Sequence, residues 1–460
     1  MSTDAHVDLV VLGLGPGGEH LATEAARAGL TVVAVDERLV GGECPYYGCI
    51  PSKMVVRAAG TLAEARRVGV LAGGAEVAPD WSVVSRRIRE EATDDWDDRV
   101  AVERLEKAGA RFVRGHGRLD GPGAVVVGDR RFVASRGVVL NTGTAPAAPP
   151  VDGLAGTPFW TNRDILATPD LPASMVVVGG GAIGAELAQA FARFGTEVTI
   201  VEVAPRILAL EEPEASEVVA KAFAAEGVRV LAGAAIHRVG HADGRFTVAV
   251  TDAGGTDLDL TAERLLVAAG RRPNLHDVGL DTVGLDPTAR SIDTDERMRA
   301  GDRLWAVGDI AGHGAFTHLS TYQAGIALAD VLGDADGPVA EYHAVPRVTF
   351  TDPEVGSVGL SEQQARDAGL DVAAASTPMQ ASTRGWIHGP GGEGVVKLVA
   401  DREAGHLVGA TAVGPSGGEV LSMLATAVHA RVPVAALRGL VFAYPTFHRA
   451  VSTALADLDL

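Results

Sequence analysis

The chain has 460 residues, enough for two or three domains, and 47% of them are hydrophobic, so it can bury large cores. Lysine and arginine number 40 against 59 aspartate and glutamate residues, and the resulting net charge of −19 argues against nucleic acid and anionic membranes as partners. No uninterrupted apolar stretch of about 18 residues predicts a membrane span. The N-terminal Met-Ser-Thr-Asp-Ala-His carries no secretion signal. We therefore expect a cytoplasmic protein.

The first predicted element is a dinucleotide-binding unit. Apolar residues 7–12 predict a buried parallel strand, and a helix over 19–28 and a second strand over 31–35 follow. Between the first strand and the helix lie the glycines of a Gly-x-Gly-x-x-Gly pattern, Gly13, Gly15 and Gly18. Asp36 follows eighteen residues after the last of them. In such units the glycines allow a tight turn, the helix N-terminus binds pyrophosphate, and the acid binds a ribose diol.

The only two cysteines, Cys44 and Cys49, follow this unit directly. Residues five apart in a regular helix have Cα atoms roughly 8–9 Å apart, whereas a disulfide requires about 4.4–6.8 Å. A bonded pair would therefore need a departure from regular helix, which Pro45 and Gly48 favour. Pro51 predicts a helix start near Cys49, where the helix dipole stabilises a thiolate. A redox pair is favoured over two metal ligands, because the spacing is not the usual zinc one, and over two buried small side chains.

A second dinucleotide-binding unit repeats the first. Residues 175–178 predict a strand, a helix runs to Phe194, and residues 197–201 predict another strand. The glycines of its loop are Gly179, Gly181 and Gly184. Glu202 again lies eighteen residues after the last glycine, so a chance match is disfavoured. A carboxylate at this position binds the ribose diol of NAD and repels the 2′-phosphate of NADP, which predicts NADH over NADPH.

The run from Gly41 to Lys53, Gly-Gly-x-Cys-x4-Cys-x-Pro-Ser-Lys, closely resembles the redox segment of the FAD-dependent pyridine nucleotide–disulfide oxidoreductases. Glutathione reductase, lipoamide dehydrogenase and mercuric reductase belong to that family, and the resemblance extends over essentially the whole chain. It implies FAD at the first dinucleotide unit, a nicotinamide nucleotide at the second, and a redox-active Cys44–Cys49 disulfide. In this scheme Cys49 is the flavin-side thiolate and Cys44 the outward interchange thiol.

The same resemblance implies roles for residues outside the glycine loops. Lys53 is expected near the flavin, paired with Glu186 on the helix of the second unit. Gly270 is expected to contribute to the nicotinamide site. The further residues expected to contact FAD are Gly117, Thr142, Gly143, Asp309 and Thr317.

The implied fold class is α/β, with two Rossmann-like dinucleotide-binding domains, for FAD and NAD(P), and an α+β C-terminal dimerisation domain. The expected boundaries are 1–150 and 275–337 for a split FAD domain, 151–274 for the NAD(P) domain, and 338–460 for the dimerisation domain. In the last of these, strands over 345–351 and 355–360 and a helix opened by Ser361 predict an antiparallel sheet with covering helices. The family's dimerisation domain forms a homodimer and lends its tail to the partner's active site.

This tail departs from that of the disulfide reductases. They carry His-Pro-Thr-x-x-Glu, whereas this chain reads Tyr-Pro-Thr-Phe-His-Arg from Tyr444 to Arg449. Tyr444 thus replaces the proton-carrying His, and Arg449 replaces the Glu that orients it. A phenol donates protons but is a poor base at neutral pH. His448 is out of register and is expected to be an interface or surface residue.

We predict an FAD-containing enzyme that works as a homodimer and passes electrons from NAD(P)H, via flavin and the cysteine pair, to a small-molecule acceptor. A first alternative is a reductase of quinones or metal ions in which disulfide exchange is not the physiological step. A second is a dihydrolipoyl dehydrogenase-like subunit of a larger complex, against which the missing His and Glu count. A redox sensor without turnover is a third. No structural metal site is predicted.

Overall fold

The computed structural model describes residues 4–460, which divide into two compact units. The first unit contains the described residues up to Pro51 together with Arg86–Ala147 and Arg271–Tyr342. The second contains Ser52–Ser85, Ala148–Gly270 and His343–Leu460. The predicted division into three domains differs from this division into two units and stays a prediction. No helix among residues 4–460 combines the length and apolar character needed to cross a bilayer.

The strands are given in chain order. The first seven are β1 (Ala5–Leu12), β2 (Val32–Asp36), β3 (Arg111–Arg114), β4 (Gly117–Leu119), β5 (Ala124–Val127), β6 (Arg130–Leu140) and β7 (Thr144–Pro146). The next seven are β8 (Ser174–Val178), β9 (Glu197–Glu202), β10 (Arg229–Ala232), β11 (Ala235–Ala242), β12 (Arg245–Thr251), β13 (Asp257–Ala262) and β14 (Arg264–Val267). The last eight are β15 (Arg271–Pro273), β16 (Arg299–Gly301), β17 (Leu304–Ala306), β18 (Pro346–Thr349), β19 (Glu354–Gly359), β20 (Val372–Pro378), β21 (Val395–Asp401) and β22 (His406–Gly414).

The helices complete the secondary structure. The first seven are α1 (Pro16–Arg27), α2 (Glu43–Tyr47), α3 (Cys49–Leu71), α4 (Trp81–Arg87), α5 (Arg99–Lys107), α6 (Asn162–Ala167) and α7 (Ala182–Phe194). The last seven are α8 (Pro213–Ala225), α9 (Thr317–Leu332), α10 (Glu362–Asp367), α11 (Thr383–His388), α12 (Gly417–His429), α13 (Val434–Arg438) and α14 (His448–Asp457). A π-helical turn covers Ile88–Ala92, and 3₁₀ turns cover Leu280–Val283, Asp309–Ala311 and Met379–Ala381.

The first unit is built on a sheet in the order β16-β17-β6-β1-β2-β3, in which β17, β6, β1, β2 and β3 are mutually parallel. The end of β1 is apolar and buried, as expected for a parallel strand covered on both faces. The carboxyl ends of these strands lead into Gly13, Asp36, Asn141 and the segment that reaches Asp309. Ligands of such sheets bind beyond the carboxyl ends of the strands.

The second unit contains three sheets. A parallel sheet in the order β10-β9-β8-β14 leads into Gly179 after β8 and ends β9 at Glu202. Strands β11, β12 and β13 form an antiparallel meander. An antiparallel sheet in the order β18-β19-β22-β21-β20 confirms the predicted C-terminal sheet. Its predicted helix is α10, which begins after a capping box at Ser361.

The elements of both dinucleotide units are confirmed, with shifted boundaries. Helix α1 begins three residues earlier than predicted, because Gly15 caps it and Pro16 occupies the first helical position, where its missing N–H costs nothing. Helix α7 ends at Phe194 as predicted, and Gly195 caps it with φ +114°. Strands β7 and β15, which lie near the two ends of the predicted nicotinamide domain, pair with each other.

Candidate active site

The first glycine loop is shaped by close backbone contacts. Gly13 has φ +88°, and a Cβ there would collide with the carbonyl of Asn141. A Cβ on Gly18 would collide in turn with the carbonyl of Gly13. Asp36 fixes the loop from the next strand, since its Oδ2 accepts the Leu14 N–H at 2.7 Å. Burial raises the pKa of the Asp36 carboxyl.

Asn141 joins three segments of the first unit. Its Oδ1 accepts the Gly18 N–H at 2.9 Å. Its Nδ2 donates to the Val307 carbonyl at 2.9 Å and to the Ser320 hydroxyl at 3.2 Å. The sequence did not predict this role, because the partners of Asn141 lie more than a hundred residues away.

The residues around this loop fit FAD. The Thr142 hydroxyl is buried and has no hydrogen-bond partner within the described chain, and leaving such a group unsatisfied costs about 1–3 kcal/mol. Gly143 has φ +63° and faces open space. Asp309 accepts the Thr144 hydroxyl at 2.5 Å. A bound ligand rich in hydroxyl and phosphate groups would supply the partner that Thr142 lacks.

Gly117 and Thr317 were also predicted to contact FAD, and that role stays a prediction. Gly117 begins β4, where a Cβ would lie 2.6 Å from Cδ2 of Leu12, so packing alone explains the glycine. Thr317 begins α9, and its hydroxyl lies 3.4 Å from Sγ of Cys49. Thr317 therefore belongs to the surroundings of the cysteine pair.

The cysteine segment is attached to the first glycine loop. The Gly41 N–H donates to the Leu14 carbonyl at 2.7 Å. Gly42 has φ +68°, and a Cβ there would lie 2.8 Å from the Gly15 Cα. Gly42 is therefore required for the segment to pass this close to the loop, whereas a Cβ on Gly41, which has φ +106°, would meet Cγ of Pro45 at 2.8 Å.

The predicted break between the cysteines is confirmed. Helix α2 ends at Tyr47, Gly48 has φ −127° and ψ −116°, and α3 begins at Cys49. Both cysteines are free thiols in this structure. A hydrogen bond to Cys49, and then burial, raise the pKa of the Cys44 thiol. The direction of this shift favours the thiol over the thiolate at Cys44.

The predicted pairing of Lys53 with Glu186 is confirmed. Lys53 Nζ lies 2.6 Å from Glu186 Oε2, and the Glu186 side chain is only 5% exposed. The other carboxylate oxygen accepts the Phe350 N–H at 2.8 Å. The ammonium also lies 4.7 Å from the centre of the Phe350 ring. Phe350, which the sequence did not suggest, thus contacts both members of the ion pair.

Helix α7 holds the segment around Phe350 along one face. Gln189, three residues after Glu186, exchanges two hydrogen bonds of 2.7 Å with the backbone of Asp352. Arg193, four residues further, is buried and donates to the Asp352 carboxylate at 2.7 Å. Residues at this spacing share a helix face. The helix that carries Glu186 is therefore hydrogen-bonded to the chain segment that contains Phe350, and these bonds hold the Glu186 carboxylate beside Phe350.

The second glycine loop is held by the same kinds of backbone contact and carboxylate hydrogen bond as the first. Gly179 has φ +106°, and a Cβ on Gly184 would collide with its carbonyl. Gly181 faces open space, which allows a phosphate to approach the backbone. Glu202 accepts the N–H of Gly180 at 2.6 Å and that of Ala204 at 2.7 Å.

Arg206 is the cation nearest in sequence to Glu202. It donates through Nη2 to the carbonyls of Ala209, at 3.0 Å, and Glu211, at 2.9 Å. Its Nε is buried without a partner in the described chain. Gly270, at the end of the unit, has φ +127° and faces open space.

The tail residue Tyr444 is 69% exposed. Its hydroxyl donates to the Thr383 hydroxyl at 3.3 Å, an interaction that the sequence did not suggest. His448 begins α14, and Arg449 lies in its first turn. Neither makes a contact in the described chain that would replace the missing imidazole–carboxylate pair.

Residues 7–330 match the model of the pyridine nucleotide-disulphide oxidoreductase family, and residues 345–455 match that of its dimerisation domain. A dihydrolipoyl dehydrogenase of Chlorobaculum tepidum is 33% identical, over 98% of this chain and 97% of that protein. A mercuric reductase of Acidithiobacillus ferrooxidans is 32% identical, over 97% of this chain and 82% of that protein. Among solved structures, the Cu(II) complex of the HOCl-induced flavoprotein disulfide reductase RclA from Escherichia coli is 25% identical, with a TM-score of 0.85, over 98% of this chain and 99% of that one.

Proposed function

This chain belongs to the pyridine nucleotide–disulphide oxidoreductase family of FAD enzymes, and on that basis we propose that it takes electrons from NADH and delivers them through Cys44 and Cys49 to a small acceptor. FAD, when bound, supplies the two-electron carrier between the nicotinamide nucleotide and the cysteine pair. Its family dimerisation domain favours a homodimer as the working form. The observation that carries the proposal is the placement of Cys44 in α2 and Cys49 at the start of α3, with their thiols in hydrogen-bonding contact and their segment joined to the first glycine loop by the Gly41 N–H bond to Leu14.

The surroundings of the two sulfurs favour different roles for them. Cys49 begins α3, where the dipole of the helix stabilises a thiolate. The thiol of Cys44 and the hydroxyl of Thr317 are both within hydrogen-bonding reach of its sulfur. The raised pKa of Cys44 favours its thiol form at rest, and in the proposal Cys44 is the sulfur that exchanges with an acceptor once it has lost its proton.

Lys53 and Glu186 are proposed to act as an electrostatic pair in the reaction. The largely buried carboxylate keeps the ammonium in one position. The Phe350 ring limits movement on another side. A compact ammonium held in this way provides a fixed positive charge for a developing negative charge in the active site.

NADH is the proposed reductant. The carboxylate of Glu202 has four lone-pair sites, and two backbone N–H donors occupy only two of them, so acceptors remain for two ribose hydroxyls. The terminal nitrogen of Arg206 that donates to two backbone carbonyls is committed within its own loop. A site that bound the 2′-phosphate of NADPH would instead need a free cation and no carboxylate.

The acceptor class follows from the tail. Reduction of a disulfide requires protonation of a leaving thiolate, and oxidation of a dithiol requires a base. Tyr444 and Arg449 provide no base near neutral pH. We therefore propose metal ions bound by thiolates, or quinones, as better acceptors than lipoamide or glutathione disulfide. The similarity to a mercuric reductase and to a reductase solved as a Cu(II) complex supports the metal-ion candidate.

The decisive experiment separates reduction by NADH from oxidation by acceptor. The FAD-loaded enzyme would be reduced with NADH in a stopped-flow instrument and then mixed with Cu²⁺, Hg²⁺, a benzoquinone, lipoamide or glutathione disulfide. Fast reoxidation by a metal ion that is lost in both Cys44→Ser and Cys49→Ser supports the proposal. Turnover with quinones that survives in both variants would remove the cysteines from the electron path, and fast lipoamide turnover would favour the dihydrolipoyl dehydrogenase alternative.

A further inference from the structure

Residues 93–98, the 93–98 loop, have an unusual backbone. They follow the π-helical turn Ile88–Ala92, and then Asp94, Asp95 and Trp96 adopt φ of +48°, +56° and +58°. Three successive residues other than glycine in the left-handed region are unfavourable for L-amino acids. Such backbone persists only where its surroundings hold it, and it concentrates at functional sites, as π-helical turns also do.

Internal hydrogen bonds fix the loop to the preceding turn. The hydroxyl of buried Thr93 donates to the carbonyls of Ile88 and Arg89, at 3.1 Å in each case. The same hydroxyl accepts the Trp96 N–H at 3.4 Å. The Asp95 N–H donates to the Arg89 carbonyl at 2.7 Å. The position of the Trp96 side chain is therefore determined by the fold rather than by a flexible connection.

The loop contacts the cysteine segment on both sides of Cys44. Before it, Asp98 Oδ2 accepts the Val40 N–H at 2.7 Å. After it, the Trp96 Nε1–H donates to the Tyr46 carbonyl at 3.2 Å. The Trp96 indole also stacks on the Tyr47 ring, with centroids 6.4 Å apart and planes inclined by 23°.

We propose that Trp96 is a positioning residue for the cysteine pair, holding residues 46 and 47 so that the sulfurs of Cys44 and Cys49 stay within bonding reach. Gly48, with φ −127° and ψ −116°, interrupts the helix, so no continuous helical hydrogen-bond ladder joins the short helix α2 to α3. A disulfide closes only when the two Cα atoms lie about 4.4–6.8 Å apart. The strained loop supplies the missing constraint, and the inference rests on the proposed function only in that the pair cycles between dithiol and disulfide.

The thiol–disulfide equilibrium tests this directly. In a glutathione buffer, the two protein thiols and one glutathione disulfide exchange to give the protein disulfide and two molecules of glutathione. The FAD-loaded enzyme would be equilibrated at stepped buffer ratios, quenched by alkylation and quantified by mass spectrometry. Trp96→Leu, which loses both the donor and the ring, should lower the equilibrium constant for disulfide formation about tenfold, equivalent to about 30 mV. Trp96→Phe, which keeps a ring but loses the donor, should fall between Trp96→Leu and the wild type.

Asp94→Asn is the matched control, since Asp94 is an exposed residue of the same loop and asparagine also tolerates the left-handed conformation. It should leave the equilibrium constant unchanged. Values within twofold of wild type for both Trp96 variants, or an equal shift in Asp94→Asn, would overturn the proposal. If circular dichroism shows that Trp96→Leu does not fold, Trp96→Phe alone decides. The readout is an equilibrium position reached without NADH and does not depend on how fast any acceptor turns over, so failure here is distinct from failure of the proposed electron path.

Discussion

Replacement of Glu202 by alanine should reverse or remove the proposed preference for NADH. The carboxylate sits at the end of β9 and is oriented by the N–H groups of Gly180 and Ala204. That orientation leaves two lone pairs for the hydroxyls of a ribose. It also places a negative charge where NADPH would carry its 2′-phosphate.

The expected magnitude follows from the bonds that are lost. A hydrogen bond to a charged group contributes about 1.5–3 kcal/mol, and each 1.4 kcal/mol is about tenfold in affinity. Loss of even one ribose bond in Glu202→Ala should therefore lower kcat/KM for NADH by at least about tenfold. NADPH gains because a carboxylate no longer repels its phosphate, so the NADH-to-NADPH ratio should fall by about 10² when both effects add.

Initial rates with NADH and NADPH, at low and high salt, would measure this ratio. Glu202→Gln separates charge from shape, because the amide keeps one oxygen for the loop but carries no charge. Arg206→Ala tests whether this arginine contributes to nucleotide choice. It should not selectively weaken the binding of NADPH if the Arg206 side chain stays bound to the carbonyls of Ala209 and Glu211. A wild-type enzyme that prefers NADPH, or a ratio unchanged within twofold in Glu202→Ala, would refute the argument.

Four further outcomes are expected. Purified protein should hold one FAD per chain. Thr142→Val should speed the release of FAD, measured by flavin fluorescence, because the buried Thr142 hydroxyl has no partner in the described chain and is free to bind the cofactor. In the reduced protein, iodoacetamide should alkylate Cys49 at lower pH than Cys44, because a hydrogen bond raises the pKa of Cys44. Mass spectrometry at stepped pH would measure this order, and the opposite order would reverse the roles assigned to the two sulfurs. Glu186→Ala should lower the melting temperature, since two donors lose their acceptor, whereas an unchanged transition would contradict the observed pair. Tyr444→Phe should leave reduction by NADH intact and alter only reoxidation by disulfides; slower reduction would contradict this separation.

Local patterns predicted the parts of the site that depend on local geometry. The spacing of glycines and acids identified both loops, because a tight turn and a strand end are encoded within about thirty residues. Pro51 and Gly48 marked the start of α3 and the break before it for the same reason. The pairing of Lys53 with Glu186 came from family resemblance, since no local rule connects positions 133 residues apart.

The contacts that the sequence did not suggest are those made by unrelated segments in space. The run that contains Trp96 is acidic and has no glycine, so nothing in it indicates left-handed backbone. The Asn141 side chain accepts the backbone N–H of distant Gly18, and Phe350 donates its own backbone N–H to distant Glu186. Backbone donors carry no signature in the sequence. Likewise, Asp36 and Glu202 were predicted as ribose ligands, but their shared second role in orienting their own loops emerged only from the hydrogen bonds.

Proton supply links the thiol pair to the choice of acceptor. Because the pKa of the Cys44 thiol is raised, the favoured form of the reduced pair carries one proton that can leave with an acceptor. Reduction of a disulfide consumes two protons, and the second must come from another group. At the positions of the reductases' His and Glu this chain carries only the Tyr444 phenol, which is hydrogen-bonded to Thr383, and Arg449, which is not a carboxylate. Reduction of a metal ion needs no proton at the ion itself, so the chemistry of this site fits metal-ion reduction better than repeated disulfide reduction.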